Sequence, residues 1–171
     1  MMKRESCCLL FDWGDTLMRV FPQFKTPMAQ WPRVEAMPYA KEVLQVLHSS
    51  WTVALATNAA DSNERDIQRA LSRAGLGEWI DRIYCYQKIR LRKPSLEFFT
   101  YILEDLALPP SKTIMVGDDF HGDILGANSA GIRGIWYNRS SPLTYNNEMH
   151  ATIHDLRDLP EAIEQLTKFK P

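Results

Sequence analysis

Four short segments of this chain carry residue types that could work together. In Leu9-Leu10-Phe11-Asp12-Trp13-Gly14-Asp15-Thr16-Leu17 an apolar run ends in an aspartate, and a threonine follows four positions later. Val53-Ala54-Leu55-Ala56-Thr57-Asn58 is an apolar run ending in a hydroxyl and an amide. Arg92-Lys93-Pro94 places a cation just before a helix-like stretch, and Ile114-Met115-Val116-Gly117-Asp118-Asp119-Phe120-His121-Gly122-Asp123-Ile124 runs from apolar residues into a cluster of acids. Brought together, these would make an anion- and metal-binding site. An anionic ligand would be repelled by these carboxylates unless cations screen them. A lysine and an Mg²⁺ ion held by few carboxylates and several waters supply that screening.

The elements that must position these groups follow from the hydrophobic pattern. Cys7–Asp12, Thr52–Thr57, Ile83–Tyr86, Thr113–Gly117 and Gly134–Tyr137 are short, continuous apolar runs, which suits strands buried on both faces. Helical patterns lie between and after them: Tyr39–His48, Asp61–Ala74 with Asp61 as a capping residue, Pro94–Leu106 with Pro94 in the first turn, Asp123–Ala130, and Leu159–Phe169. Strands alternating with helices predict an α/β domain with a parallel sheet. Residues 18–38 are the one irregular segment. Pro22, Pro27, Pro32 and Pro38 argue against a long helix or a central strand there. Because the segment directly follows Asp12, it is expected as a flap overhanging the strand ends, where open α/β sheets bind ligands.

In order, type and spacing, the four segments resemble motifs one to four of the haloacid dehalogenase-like superfamily. Gly126-Ala127-Asn128-Ser129-Ala130-Gly131 resembles the family's usual helix after motif four, and residues 151–166 its last strand and helix. The resemblance covers nearly the whole chain. It implies a Rossmann-like three-layer α/β/α sandwich with a five-stranded parallel core in the order 5-4-1-2-3, as one domain over 1–171. Neither gap between motifs is long enough for the inserted cap domain that many members carry.

The resemblance also assigns roles. Asp12 is the nucleophile that forms an aspartyl-phosphate. Mg²⁺ is bound by Asp12, the backbone carbonyl of Gly14 and Asp118, with Asp123 as a further ligand or as the group that orients metal-bound water or Lys93. Thr57, Asn58 and Thr16 bind phosphoryl oxygens, and Lys93 neutralises charge on the nucleophile. Asp119 is the least certain acid of its cluster. One departure stands out. The family pattern is Asp-x-Asp-Gly-Thr-Leu, and its second Asp protonates the leaving alcohol, help worth roughly 10²–10⁴-fold. Gly14 occupies that position here and Asp15 comes one residue late. The expected activity is therefore a slow phosphatase on phosphate monoesters, with Asp15 or His121 as possible substitutes. The alternative is an inactive homologue that binds metal and a phosphorylated partner. Carbon–halogen hydrolysis needs no metal, and the acids around Asp118 count against it.

Composition narrows the partners. A chain of 171 residues with net charge -1 has no bulk attraction to nucleic acid or anionic membranes. No apolar run approaches the roughly 20 residues that span a bilayer, and the first residues make a poor signal peptide. The expected partner is a phosphorylated small molecule or macromolecule. The three cysteines have no disulfide spacing, which fits reduced thiols and a cytoplasmic setting. The run 88–93 adds cations near the expected entrance, as a footprint for an acidic substrate or as a solvated charged edge.

Overall fold

The computed structural model describes residues 7–168. Six parallel strands form one sheet in the order β3-β2-β1-β4-β5-β6. They are β1 (Cys8–Phe11), β2 (Thr52–Thr57), β3 (Arg82–Cys85), β4 (Thr113–Gly117), β5 (Arg133–Tyr137) and β6 (His150–Ile153). The expected five-strand order is thus present, and β6 extends it at the β5 edge. The helices are α1 (Ala40–Leu47), α2 (Glu64–Arg73), the single turn α3 (Tyr86–Ile89), α4 (Leu96–Leu106), α5 (Gly126–Ser129) and α6 (Leu159–Lys168).

The continuous apolar runs are explained by a sheet covered on both sides. Side chains alternate along a strand, so Leu9 and Phe11 of β1 join one core and Cys8 and Leu10 the other. The first core packs the sheet against α1, α2 and α6 through Val43, Leu44, Ile67, Leu71, Leu159 and Ile163. The second packs it against α4 and α5 through Phe98, Phe99, Ile102 and Ala127. The result is a three-layer α/β/α sandwich. No helix among the described residues is long and apolar enough to cross a membrane.

Several element starts differ from the sequence expectation, each for a local reason. Asn63, not Asp61, caps α2, and its side chain and that of Asp66 reciprocally bond each other's backbone N–H. Ser95 caps α4 through Phe98 N, so Pro94 lies outside the helix instead of in its first turn. The helix expected from Asp123 begins earlier, as a π-type turn Phe120–Leu125 running into α5, because the Asp119 side chain caps it. Tyr86 belongs to α3, not to β3. Phe169 and the first six residues lie outside the described part.

The irregular segment is folded back on the core. Leu17–Arg19 pairs with Glu35–Met37 through Arg19 N to Glu35 O and Met37 N to Leu17 O. Between them Phe21, Phe24 and Trp31 pack ring to ring at 5.4–6.0 Å. The tip is fastened to α2 by Arg73 Nη1, which donates to Ala29 O at 3.0 Å.

Candidate active site

In an open α/β sheet, ligands bind at the carboxyl ends of the strands where the strand order reverses. Here that point is between β1 and β4. Asp12 immediately follows β1 and its N–H donates to Val116 O of β4 at 2.9 Å. Asp118 immediately follows β4. Fold topology alone therefore sets these two carboxylates side by side.

Lys93 completes the group. Its Nζ donates to Asp12 Oδ1 at 2.6 Å and to Asp123 Oδ1 at 2.7 Å. The Lys93 and Asp123 side chains are both 3% exposed, against 15% for Asp12. One carboxylate oxygen each from Asp12, Asp118 and Asp123 lies within 4.8 Å of the others, a spacing that can hold a metal ion. Burial works against the Lys93 charge, but Asp12 and Asp123 more than reverse this and raise its pKa. Burial, with the charge on Asp12, pushes the Asp118 carboxyl up to about 6. Burial also pushes Asp123 up to about 7; Lys93 opposes that rise and Asp12 adds to it. We take Lys93 as cationic, because two carboxylate oxygens accept from the one buried ammonium.

Neighbouring groups fix the geometry. The fully buried Thr16 hydroxyl donates to Asp118 Oδ1 at 3.1 Å and weakly to Asp12 Oδ2 at 3.5 Å, so it orients carboxylates. Asn58 follows β2 and grips the Lys93 backbone twice: Lys93 N donates to Asn58 Oδ1 at 2.8 Å, and Asn58 Nδ2 donates to Lys93 O at 2.9 Å. Thr57 is buried and its hydroxyl accepts from Ala59 N. Asp123 Oδ2 accepts from Asp119 N and lies against Gly117, where an added Cβ would sit 2.0 Å from it. Only glycine permits that approach.

The other candidates point elsewhere. Asp119 accepts from His121 N and Gly122 N and acts as the cap of its turn. His121 is exposed; its backbone N–H donates to Asp119 and its carbonyl accepts from Gly126 N. Asp15 has a left-handed backbone (φ 57°). Its Oδ1 accepts from Val20 N and from Arg139 Nη2, both at 3.1 Å. Position 14 itself is filled from the side: a Cβ there would lie 2.8 Å from Val20 Cγ2.

Sequence reasoning missed the Arg139 partnership, the Asn58 clamp and Trp136, whose indole N–H donates to Asp118 O at 2.9 Å. An aromatic at the carboxyl end of β5 was the available signal for Trp136. A pairing of residues 15 and 139 left none. A cavity of about 940 Å³ between α2 and β3 contains none of these groups. The convergence of charge locates the site better than concavity does.

Residues 14–131 match the family model of haloacid dehalogenase-like hydrolases. The chain belongs to that family. The matched region begins two residues after Asp12 and contains Thr16, Thr57, Asn58, Lys93, Asp118 and Asp123. A ribulose-1,5-bisphosphate 5-phosphatase from Halopiger xanaduensis is 34% identical over 77% of this chain and 55% of its own length. A pyrimidine 5'-nucleotidase from Escherichia coli is 30% identical over 60% of this chain and 44% of its own. The chain thus spans about half the length of these curated relatives. Among solved structures, an uncharacterized protein from Listeria monocytogenes superposes with a TM-score of 0.82 at 29% identity, covering 95% of this chain and 99% of that one. The family is one of hydrolases, and these curated relatives are a phosphatase and a nucleotidase.

Proposed function

We propose that the protein is a Mg²⁺-dependent, capless phosphatase acting on phosphate monoesters, with Asp12 as the nucleophile. The observation that carries this is the Asp12 carboxylate at the end of β1, bonded to a buried lysine at 2.6 Å and grouped with two further carboxylates. The donor set fits magnesium: hard oxygens, few carboxylates, and crowded negative charge that burial makes unfavourable without a cation. Asp12, the Gly14 carbonyl and Asp118 would hold it. Both Asp123 oxygens already accept bonds, so Asp123 positions Lys93. When bound, the ion neutralises negative charge on the phosphoryl group.

The chain's own residues supply the remaining steps. Lys93 holds Asp12 Oδ1, which leaves Oδ2, with only the long Thr16 contact, as the attacking oxygen. Asp12 attacks phosphorus, the ester oxygen leaves with the bond electrons, and an aspartyl-phosphate remains for water to cleave. Thr57 and nearby backbone N–H groups bind phosphoryl oxygens. Residues 18–38, which begin six residues after Asp12, serve as the flap. Nothing at position 14 gives the leaving oxygen a proton, and Asp15 is held by Arg139. Turnover is therefore favoured for leaving groups that depart as anions, and the free thiols Cys8 and Cys85 suit a cytoplasmic catalyst.

The same missing proton donor favours one alternative, a homologue that binds metal and a phosphorylated partner without turnover. Assays of p-nitrophenyl phosphate and an alkyl phosphate, with Mg²⁺ and with chelator, separate the two. The phosphatase shows metal-dependent turnover, faster on the aryl ester and lost in Asp12→Asn. Metal binding without any turnover selects the alternative.

A further inference from the structure

The turn after β3 carries an unusual arrangement of charge. Arg92 Cζ lies 4.1 Å and Arg90 Cζ 5.6 Å from the centroid of the same Tyr86 ring. Both arginines are exposed, and neither has a carboxylate partner among the described residues. Lys88 from the same run differs, since Glu64 holds its ammonium at 3.2 Å. Arg90 also sits in the left-handed backbone region at φ 58°, unfavourable for a side chain with a Cβ. Two like charges gathered on one ring without a counter-ion are a local conflict, of the kind that proteins retain at functional sites.

The position of this pair gives the conflict a use. Thr57 and Cys85 are register partners at the ends of β2 and β3, so Tyr86 and Asn58 emerge side by side at the carboxyl edge of the sheet. Gln87 Nε2 donates to Ala60 O at 2.8 Å and ties the turn to the loop after β2. Asn58 holds the Lys93 backbone, and Arg92 is the residue before it. The Arg90–Tyr86–Arg92 group therefore flanks the site on its β3 side. A planar guanidinium braced on an aromatic ring retains donors at its edge for an oxyanion.

We propose that Arg92 and Arg90, braced on Tyr86, form a second anion subsite that selects phosphomonoesters carrying a further anionic group over esters of neutral alcohols. This rests on the phosphatase assignment and names its substrate class. The full chain with Mg²⁺ is tested on phenyl phosphate and 3-carboxyphenyl phosphate, whose leaving phenols have nearly the same acidity. The carboxylated ester is preferred in kcat/KM by about five- to tenfold, the size of a charge-assisted pair. The preference falls as salt rises. Arg92→Gln brings the ratio close to one, while Lys88→Gln, whose ammonium already has a partner, keeps it. Equal kcat/KM for the two esters in the wild type, or a preference that survives in the Arg90→Gln/Arg92→Gln double variant, overturns the subsite. If neither ester is turned over, the phosphatase assignment fails. Calorimetric binding of the same two esters then decides the subsite independently: tighter binding of the carboxylated ester that Arg92→Gln removes supports it, and equal or no binding overturns it.

Discussion

On the side of Asp12 that faces β2, β4 and the approach to α4, nearly every polar atom has a partner. Lys93 bridges two carboxylates, Thr16 orients a third, and Asn58 and Trp136 hold the backbone at Lys93 and Asp118. On the side that faces the turn after β1 there is a glycine, a valine methyl group over it, and an aspartate turned away to Arg139. The first side is preorganised for the nucleophile and for a cation. The second offers no proton. On the proposed reading a site can thus be equipped for attack on phosphorus and lack a donor for release of the alcohol, because Asp12 is supported from several other segments whereas the leaving-group proton depends on the turn after β1 alone.

The largest effect expected is at the nucleophile. Asp12→Asn lowers kcat on p-nitrophenyl phosphate by at least about 10³-fold; a variant within tenfold of wild type moves the nucleophile elsewhere. Next comes Lys93. Lys93→Ala lowers kcat by about 10²-fold or more. It also leaves Asp123 buried without its cation, a loss of about 3 kcal/mol measured by urea unfolding, moderated where Asp123 takes up a proton. On the second side, Gly14→Asp combined with Val20→Ala, which clears the methyl at 2.8 Å, raises alkyl phosphate turnover about tenfold or more and narrows the aryl–alkyl gap. Gly14→Asp alone gains less, since Val20 must shift. Asp15→Ala changes alkyl phosphate kcat by no more than about twofold and stability by under about 1 kcal/mol, as its pair with Arg139 is half-exposed. A hundredfold drop instead identifies Asp15 as the replacement acid and removes the contrast.

The crowded side has a pH signature as well. In the unfolded chain Asp118 and Asp123 ionise near 3.8; in the fold they do so at about 6 and about 7. Between those values the folded protein keeps protons that the unfolded chain has released, so these two groups remove stability as pH rises from about 4 to 7. In chelator, Asp118→Asn gains Tm relative to wild type across that window, and added Mg²⁺ reduces the gain. A difference that is flat with pH contradicts the crowding.

Much of this was legible from residue types and order. The strand runs were readable because a sheet covered on both faces demands continuous apolar segments. Helix starts at Asn63 and Ser95 were misplaced because several side chains nearby could cap, and only backbone geometry chooses among them. Asp12 and Asp118 were recognisable because each directly follows an apolar strand run, whereas Lys93 lies between α3 and the cap of α4 and Asp123 lies within the Phe120–Leu125 turn, and the order of the motifs marked them. Asn58 and Thr16 were assigned to phosphate, whereas in the fold both Asn58 amide atoms bond the Lys93 backbone and the Thr16 hydroxyl donates to carboxylates. Lys93 is 35 residues from Asn58 and Asp118 is 102 from Thr16, beyond any local pattern; only the long Thr16–Asp12 contact is local.

By itself the sequence determined the alternation of strands and helices, the presence and order of the acids and the lysine in the segments that link them, and the absence of a carboxyl side chain at position 14. Those are properties of residue type and short spacing, which the chain carries whether or not it is folded. Tertiary structure decided what fills the place beside Gly14, where Asp15 points, and which groups hold Lys93. Each of these depends on contacts between segments far apart in the chain, and such contacts exist only once the sheet has brought the strand ends to one edge.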